Sequence, residues 1–260
     1  MDQALLAAAA DRVVECRLAR RRLPHLAGIP TLEDGYAVQQ RANAGLERAL
    51  GPRVGHKIGG TTAPMRAYIN VPEPVGGEVF QTQLHPDGAS VRRADFVRLG
   101  IETEIAVRLG GDLPPRPEPY DRAEIAQAVA ALLPSIELVD DRYEDFATIG
   151  GPTLVADNAF DAGCVLGPEQ ARWQGLDLAA LTARTRRDGA VVAEGLSDML
   201  LGHPLDALTW LANRRSRLGL GLAAGSFVSL GTITPVQWVA APGTFRIEVE
   251  ALGKVSVSVE

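Results

Sequence analysis

The chain has 260 residues, more than the about 150 of an average domain, so it reads as one large domain or a domain with a sizeable appendage. Hydrophobic residues make up 46% of it and charged residues 22%, enough to fill a core without disulfide staples, which sets intrinsic disorder aside. The 32 acidic and 26 basic residues leave a net charge of -6, the wrong sign for a surface that binds nucleic-acid phosphates.

No apolar run approaches the roughly 18 residues of a membrane span, because Asp11 stops the stretch 5–10, so neither a membrane nor a nucleic acid is an expected partner. The start of the chain lacks the basic residues of a secretory signal. Cys16 and Cys164 have no metal-ligand spacing, and two distant cysteines suggest no disulfide framework, so a cytoplasmic location is expected. Leu6, Ala9, Val13 and Cys16 repeat at helical spacing and predict a first helix, with Arg20, Arg21 and Arg22 as its solvated, dipole-complementing end. Thr31 with Asp34 predicts the capped start of a second helix, ended by Gly51-Pro52. The Gly- and Pro-rich stretch 54–83 reads as a shaped loop region.

Further on, the pattern predicts a strand over 97–109, a helix over 121–133, a strand over 135–139 and a hairpin within 181–194 turning at Asp188-Gly189. A helix over 202–218 follows, then strands around Phe227, over 245–251 and over 255–259, with Lys254 at a hairpin tip. The expected fold class is α+β, a β-rich core of mixed topology carrying a helical N-terminal arm. The expected division is 1–90 for the arm and an active-site loop and 91–260 for the core, within one continuous unit.

The 26 basic residues are 24 Arg and only two Lys, Lys57 and Lys254. A lysine kept in so Arg-rich a chain suggests a need for a compact amine that can exchange a proton, and Lys57 lies between glycines in Gly55-His56-Lys57-Ile58-Gly59-Gly60. This stretch lacks the spacing of a phosphate loop; its glycines would instead let a small ligand approach the backbone. Glu102 and Glu104, two apart in a strand, point to one side, either as an acidic outer face or as ligands. Glu137 lies inside an apolar run, where a lone carboxylate is costly unless paired or bound to a cation. Three carboxylates without His or Cys suit a hard divalent ion, Mg2+ or Mn2+. His56 reads as a structural histidine on its own, and the clusters around Asp157-Asn158 and Thr232-Thr234 as either turns or site residues.

Taken together, Gly55-His56-Lys57-Ile58-Gly59, Ile101-Glu102-Thr103-Glu104-Ile105, Ile136-Glu137-Leu138-Val139-Asp140-Asp141-Arg142, Ala156-Asp157-Asn158 and Gly202-His203-Pro204-Leu205 through Ala212-Asn213 resemble the successive motifs of the 2-oxopent-4-enoate (2-hydroxypentadienoate) hydratase and 4-oxalocrotonate decarboxylase family, within the fumarylacetoacetate hydrolase-like superfamily. The resemblance implies a core of that superfamily's type, Glu102, Glu104 and Glu137 as ligands of Mg2+ or Mn2+, and Lys57 as an active-site residue. It implies a metal-dependent hydratase acting on a small 2-oxo or 2-hydroxydienoate acid, with Lys57 exchanging a proton at a pKa lowered by the cation. Asp157 and Asn158 would orient substrate or water, and His56, Gly59, Thr61, Thr62, Phe160, Thr232 and Thr234 would face the substrate. It further implies a homo-oligomer able to associate with a related hydratase or decarboxylase. Alternatives are decarboxylation or tautomerisation of a 2-oxo diacid, and a catalytically silent partner subunit. Gly59-Gly60-Thr61-Thr62, Val79-Phe80-Gln81-Thr82 and Phe160-Asp161 depart from common members and predict a different cavity wall.

Overall fold

The computed structural model describes residues 2–260. Among them are helices α1 (Gln3–Leu18), α2 (Leu32–Leu50), α3 (Ala63–Tyr68), α4 (Arg122–Ala128), α5 (Gly151–Ala156) and α6 (Pro204–Arg217). The strands are β1 (Arg53–Gly59), β2 (Val75–Phe80), β3 (Leu84–Pro86), β4 (Ala89–Val91), β5 (Leu99–Leu109), β6 (Val129–Asp140), β7 (Asp161–Leu166), β8 (Thr182–Arg187), β9 (Ala190–Leu196), β10 (Phe227–Thr232), β11 (Gln237–Trp238), β12 (Gly243–Val249) and β13 (Gly253–Val259). They build a large mixed sheet in the order β2-β1-β10-β5-β6-β7-β3, with β11 on β5, and a smaller sheet in the order β4-β13-β12-β8-β9. No helix among the described residues is long and apolar enough to cross a membrane.

The two sheets share one apolar core. Ile101 and Ile105 of β5 and Ile136 and Leu138 of β6 join Phe245, Ile247, Val255 and Val257 of the smaller sheet, and the Thr103 hydroxyl meets that of Thr185 on β8. Side chains alternate along a strand, so Glu102 and Glu104 face away from the smaller sheet. The helices α1, α2 and α5 pack around a second apolar cluster. Ala9, Val13 and Cys16 are the buried stripe of α1, and α2 starts at the reciprocal Thr31–Asp34 capping box.

The main departure from the sequence pattern is 54–83, which holds strands β1 and β2 around the short α3 rather than loops. Its glycines mark close packing within strands. A Cβ at Gly55 would lie 2.2 Å from the Phe227 ring, and one at Gly77 would lie 2.9 Å from the Asn158 carbonyl oxygen. The helix expected over 121–133 stops at Ala128, and the following apolar residues start β6. A short apolar run suits helix and strand equally; pairing with both β5 and β7 decided it. The strands β1 and β2 join β10 in the large sheet, so the segment assigned to an arm supplies part of the core sheet.

Gly55→Ala should force the Phe227 ring aside and destabilise the fold by about 1–3 kcal/mol, the usual cost of overpacking. A lowered urea midpoint, partly restored by adding Phe227→Leu, is the expected result.

Candidate metal centre and substrate cavity

The pairing of β5 with β6 sets Glu102 directly opposite Glu137 and Glu104 opposite Ser135. One carboxylate oxygen from each of Glu102, Glu104 and Glu137 lies within 4.8 Å of the other two. The Ser229 hydroxyl donates to Glu104 Oε2, and the Gly231 N–H donates to the same oxygen at 3.1 Å, which orients the carboxylate. Glu104 Oε1 and Glu137 Oε2 are buried without a partner. Burial, then the neighbouring Glu104 charge, pushes Glu102 up to about 7. Burial likewise raises Glu104, and raises Glu137 well above the usual carboxylate range. Orphaned oxygens on mutually repelling carboxylates fit a hard divalent cation with oxygen ligands.

Lys57 comes from β1, which lies between β2 and β10. Its Nζ donates to the Ala159 carbonyl at 2.8 Å and lies 3.1 Å from Glu137 Oε1. Burial alone lowers the amine's pKa, but the charges of Glu137, Glu102 and Glu104 outweigh it and the net shift is upward. In the protein's own field the carboxylates dominate, and a cation held by them would oppose that pull.

Lys57 and Glu102 open onto a cavity of about 260 Å³ and are the charged side chains among the described residues lining it. The end of β1 and the turn after it supply Gly59, Thr61 and Thr62, β10 and the residues after it supply Thr232 and Thr234, and Phe160 lines the cavity too. Sequence reasoning missed the apolar wall of Met65, Tyr68, Ile69, Met199 and Trp238. The apolar residues of α3 were its one legible signal, hidden by the loop reading of that segment.

Three expected residues lie outside the cavity. His56 alternates with Lys57 along β1 and so faces the opposite side of the sheet; it is buried near Arg215, Glu78 and Arg53, with Nδ1 unpartnered. Burial, then the Arg215 charge, lowers its pKa to about 3. Asp157 accepts from Arg142 Nη2 at 2.9 Å, and its carboxylate lies 3.7 Å from Arg17 Nη1. Asn158 exchanges side-chain hydrogen bonds with Asn43 at 2.7 and 3.1 Å and accepts from the Glu78 N–H. The side chains of Asp157 and Asn158 are thus held by protein partners beside the turn that carries Ala159 and Phe160.

Residues 62–260 match the model of the fumarylacetoacetate (FAA) hydrolase C-terminal family. The chain belongs to that family. Its relatives include the 2-keto-4-pentenoate hydratase of Burkholderia vietnamiensis, 35% identical over 98% of this chain and 97% of that protein. The 2-hydroxyhexa-2,4-dienoate hydratase of Comamonas testosteroni is 32% identical over 87% of this chain and 86% of that protein. Among solved structures, the 4-oxalocrotonate decarboxylase of Pseudomonas putida G7, complexed with magnesium and adipate, superposes with a TM-score of 0.92 at 27% identity, covering 100% of this chain and 99% of that one. The α+β class expected from the pattern, and the fumarylacetoacetate hydrolase type that the resemblance implied, are those of this chain.

Two outcomes follow from this geometry. Glu137→Gln, nearly isosteric, should keep the circular-dichroism spectrum but weaken Mg2+ or Mn2+ binding in calorimetry by more than the about 10–100-fold typical of losing an outer-shell partner. His56 is buried with a pKa of about 3, so as pH falls the unfolded chain takes up this proton first, from about 6.5 downward. Stability should therefore drop on acidification by up to about 1.4 kcal/mol per pH unit. Urea unfolding between about pH 6 and pH 5 should show a flatter pH dependence for His56→Gln than for the parent.

Proposed function

We propose that this chain is a divalent-metal-dependent hydratase that converts a small 2-hydroxy-2,4-dienoate into a 4-hydroxy-2-oxo acid. The observation that carries this reading is the cavity itself, onto which the carboxylate cluster opens through Glu102 and Lys57 and whose lining contains no second cation. The hydratase relatives support it. A second substrate carboxylate, as in a 2-oxo diacid, calls for a partner cation at the other end of the cavity. The nearby arginines are engaged elsewhere. Arg66 Nη1 donates to the Gly60 and Thr61 carbonyls at 3.0 and 3.2 Å, while Arg98 stacks 4.1 Å from the centre of the Trp238 ring and pairs with Asp141 at 3.1 Å. Hydration is therefore favoured over decarboxylation, although the decarboxylase shares the fold.

Glu102, Glu104 and Glu137 would hold Mg2+ or Mn2+, which when bound supplies Lewis-acid stabilisation of negative charge on the substrate carboxylate and 2-oxygen. Lys57, fixed by the Ala159 carbonyl, carries a proton to C5 as the 2-hydroxyl gives one up, leaving an unsaturated ketone. Water then adds across C3 and C4, its oxygen to C4 and its proton to C3. Thr61, Thr62, Thr232 and Thr234 line the cavity, and their hydroxyls would orient the carboxylate and the attacking water. The apolar wall, with Phe160, packs on the carbon chain and keeps other water from it.

Incubating metal-loaded protein with 2-hydroxypenta-2,4-dienoate and, separately, with 4-oxalocrotonate should give the 4-hydroxy-2-oxo acid by NMR in the first and little CO2 in the second; preferential decarboxylation would reverse the assignment. EDTA should abolish turnover and Mg2+ or Mn2+ restore it. Lys57→Arg keeps the charge but adds bulk, and it replaces an amine whose pKa a bound cation would bring down with a guanidinium that stays protonated. Its kcat should fall by roughly 100-fold or more, while Lys254→Arg, far from the cavity, should be silent.

A further inference from the structure

Asn158, Ala159 and Phe160 are three successive non-glycine residues in the left-handed region, with φ of 57°, 47° and 68°. Side chains disfavour this conformation, and it persists only where the surroundings over-determine it. Here two buried guanidiniums bridge the residues on either side of the turn. Arg142 Nη2 donates to the Asp157 carbonyl at 3.3 Å and Arg142 Nη1 to the Asp161 carbonyl at 2.9 Å. Arg17, reaching over from α1, donates to the same two carbonyls at 3.3 and 3.2 Å. The turn they close presents the Ala159 carbonyl to Lys57 Nζ at 2.8 Å and sets Phe160 in the cavity wall. Neither arginine lines the cavity.

We propose that Arg17 and Arg142 are positioning residues: by clamping Asp157 to Asp161 they hold the turn left-handed and so fix the carbonyl that aims the Lys57 amine. The clamp gives α1 a role at a site that it does not touch. A relaxed turn would swing the Ala159 carbonyl away and free the amine, and a misplacement of about 1 Å at a reacting group can cost as much as about 100-fold in rate. Arg142 is the closest partner of the buried Asp157 carboxylate, and Arg17 pairs with the buried Asp161 carboxylate at 3.3 Å, so removing either charge strands an acid; Arg17 is substituted because Arg17→Lys keeps a charge beside Asp161 while breaking the two-carbonyl bridge.

The inference rests on the reading of Lys57 as the proton-transfer group, so Lys57→Met is measured beside it. Four proteins form a double-mutant cycle: parent, Arg17→Gln, Ala159→Gly and the double variant, each metal-loaded and assayed with 2-hydroxypenta-2,4-dienoate per folded molecule. Arg17→Gln is expected to lower kcat about tenfold while KM and calorimetric Mg2+ affinity stay within about twofold. Glycine at 159 keeps the carbonyl and removes the steric cost of the left-handed backbone, so Arg17→Gln should cost much less kcat in that background. Arg17→Lys, which keeps the charge beside Asp161 but cannot bridge two carbonyls in the same way, should lose kcat too, and it replaces Arg17→Gln should that variant not fold. Unchanged kcat in the Arg17 variants, an equal loss in both backgrounds, or a parallel fall in Mg2+ affinity would overturn the clamp. If Lys57→Met itself retained kcat, the reading of Lys57 would fail and take the clamp with it; an inactive Lys57→Met beside fully active Arg17 variants would sink the clamp alone.

Discussion

Three carboxylates that the register of two central strands forces onto one buried face are the constraint around which the rest of this molecule is arranged. The β5–β6 pairing puts Glu102 opposite Glu137 with Glu104 two residues along, and no rotamer change can separate them far without breaking the ladder. Burial pushes all three toward protonation, and repulsion from neighbouring carboxylates adds to it at Glu102 and Glu137, so the face is stable in its ionised form only with positive charge against it. Lys57 supplies one such charge from β1. The unsatisfied oxygens of Glu104 and Glu137 leave room for a second, divalent one.

The fold keeps that charge concentrated. One face of the large sheet is spent on the core shared with the smaller sheet, so the acidic face opens onto a cavity whose remaining walls are apolar apart from Thr61, Thr62, Thr232 and Thr234. An apolar wall packed on a bound acid would exclude water from it and strengthen its electrostatic interactions. The division of labour is spatial: charge gathers at the strands, shape comes from α3 and the residues after β10, and the backbone of the turn after α5 orients the amine. His56 shows how sharply the sheet separates these roles. One residue from Lys57, it faces a different set of neighbours and takes a pKa of about 3 from its burial there.

The elements that were legible are those whose signals are local. The Thr31–Asp34 box capped α2 as read, Asp188-Gly189 turned a hairpin, and the Glu102/Glu104 alternation placed both carboxylates on one face. The illegible ones depend on distant partners. Gly55 and Gly77 look like loop residues until Phe227 and Asn158 are seen packed on them. Residues after Ala128 look helical until β5 and β7 claim them. Asp157 and Asn158 look like site residues until Arg142 and Asn43 are found holding their side chains.

The sequence by itself pointed to the chemistry: the ligand type, from three acids without His or Cys; the amine, from one of only two lysines in an Arg-rich chain; and it determined the family, from motifs in order along nearly the whole length. Those are properties of residue type and short-range spacing, which a strand or turn preserves wherever it is placed. Only the tertiary structure decided which side chains meet: that Lys57 from β1 lies against Glu137 from β6, that the far wall is apolar with its nearest arginines occupied elsewhere, and that Arg17 from the first helix reaches the carbonyls of Asp157 and Asp161. These contacts join residues far apart in the chain, and they are set by strand order and register, which no local pattern encodes.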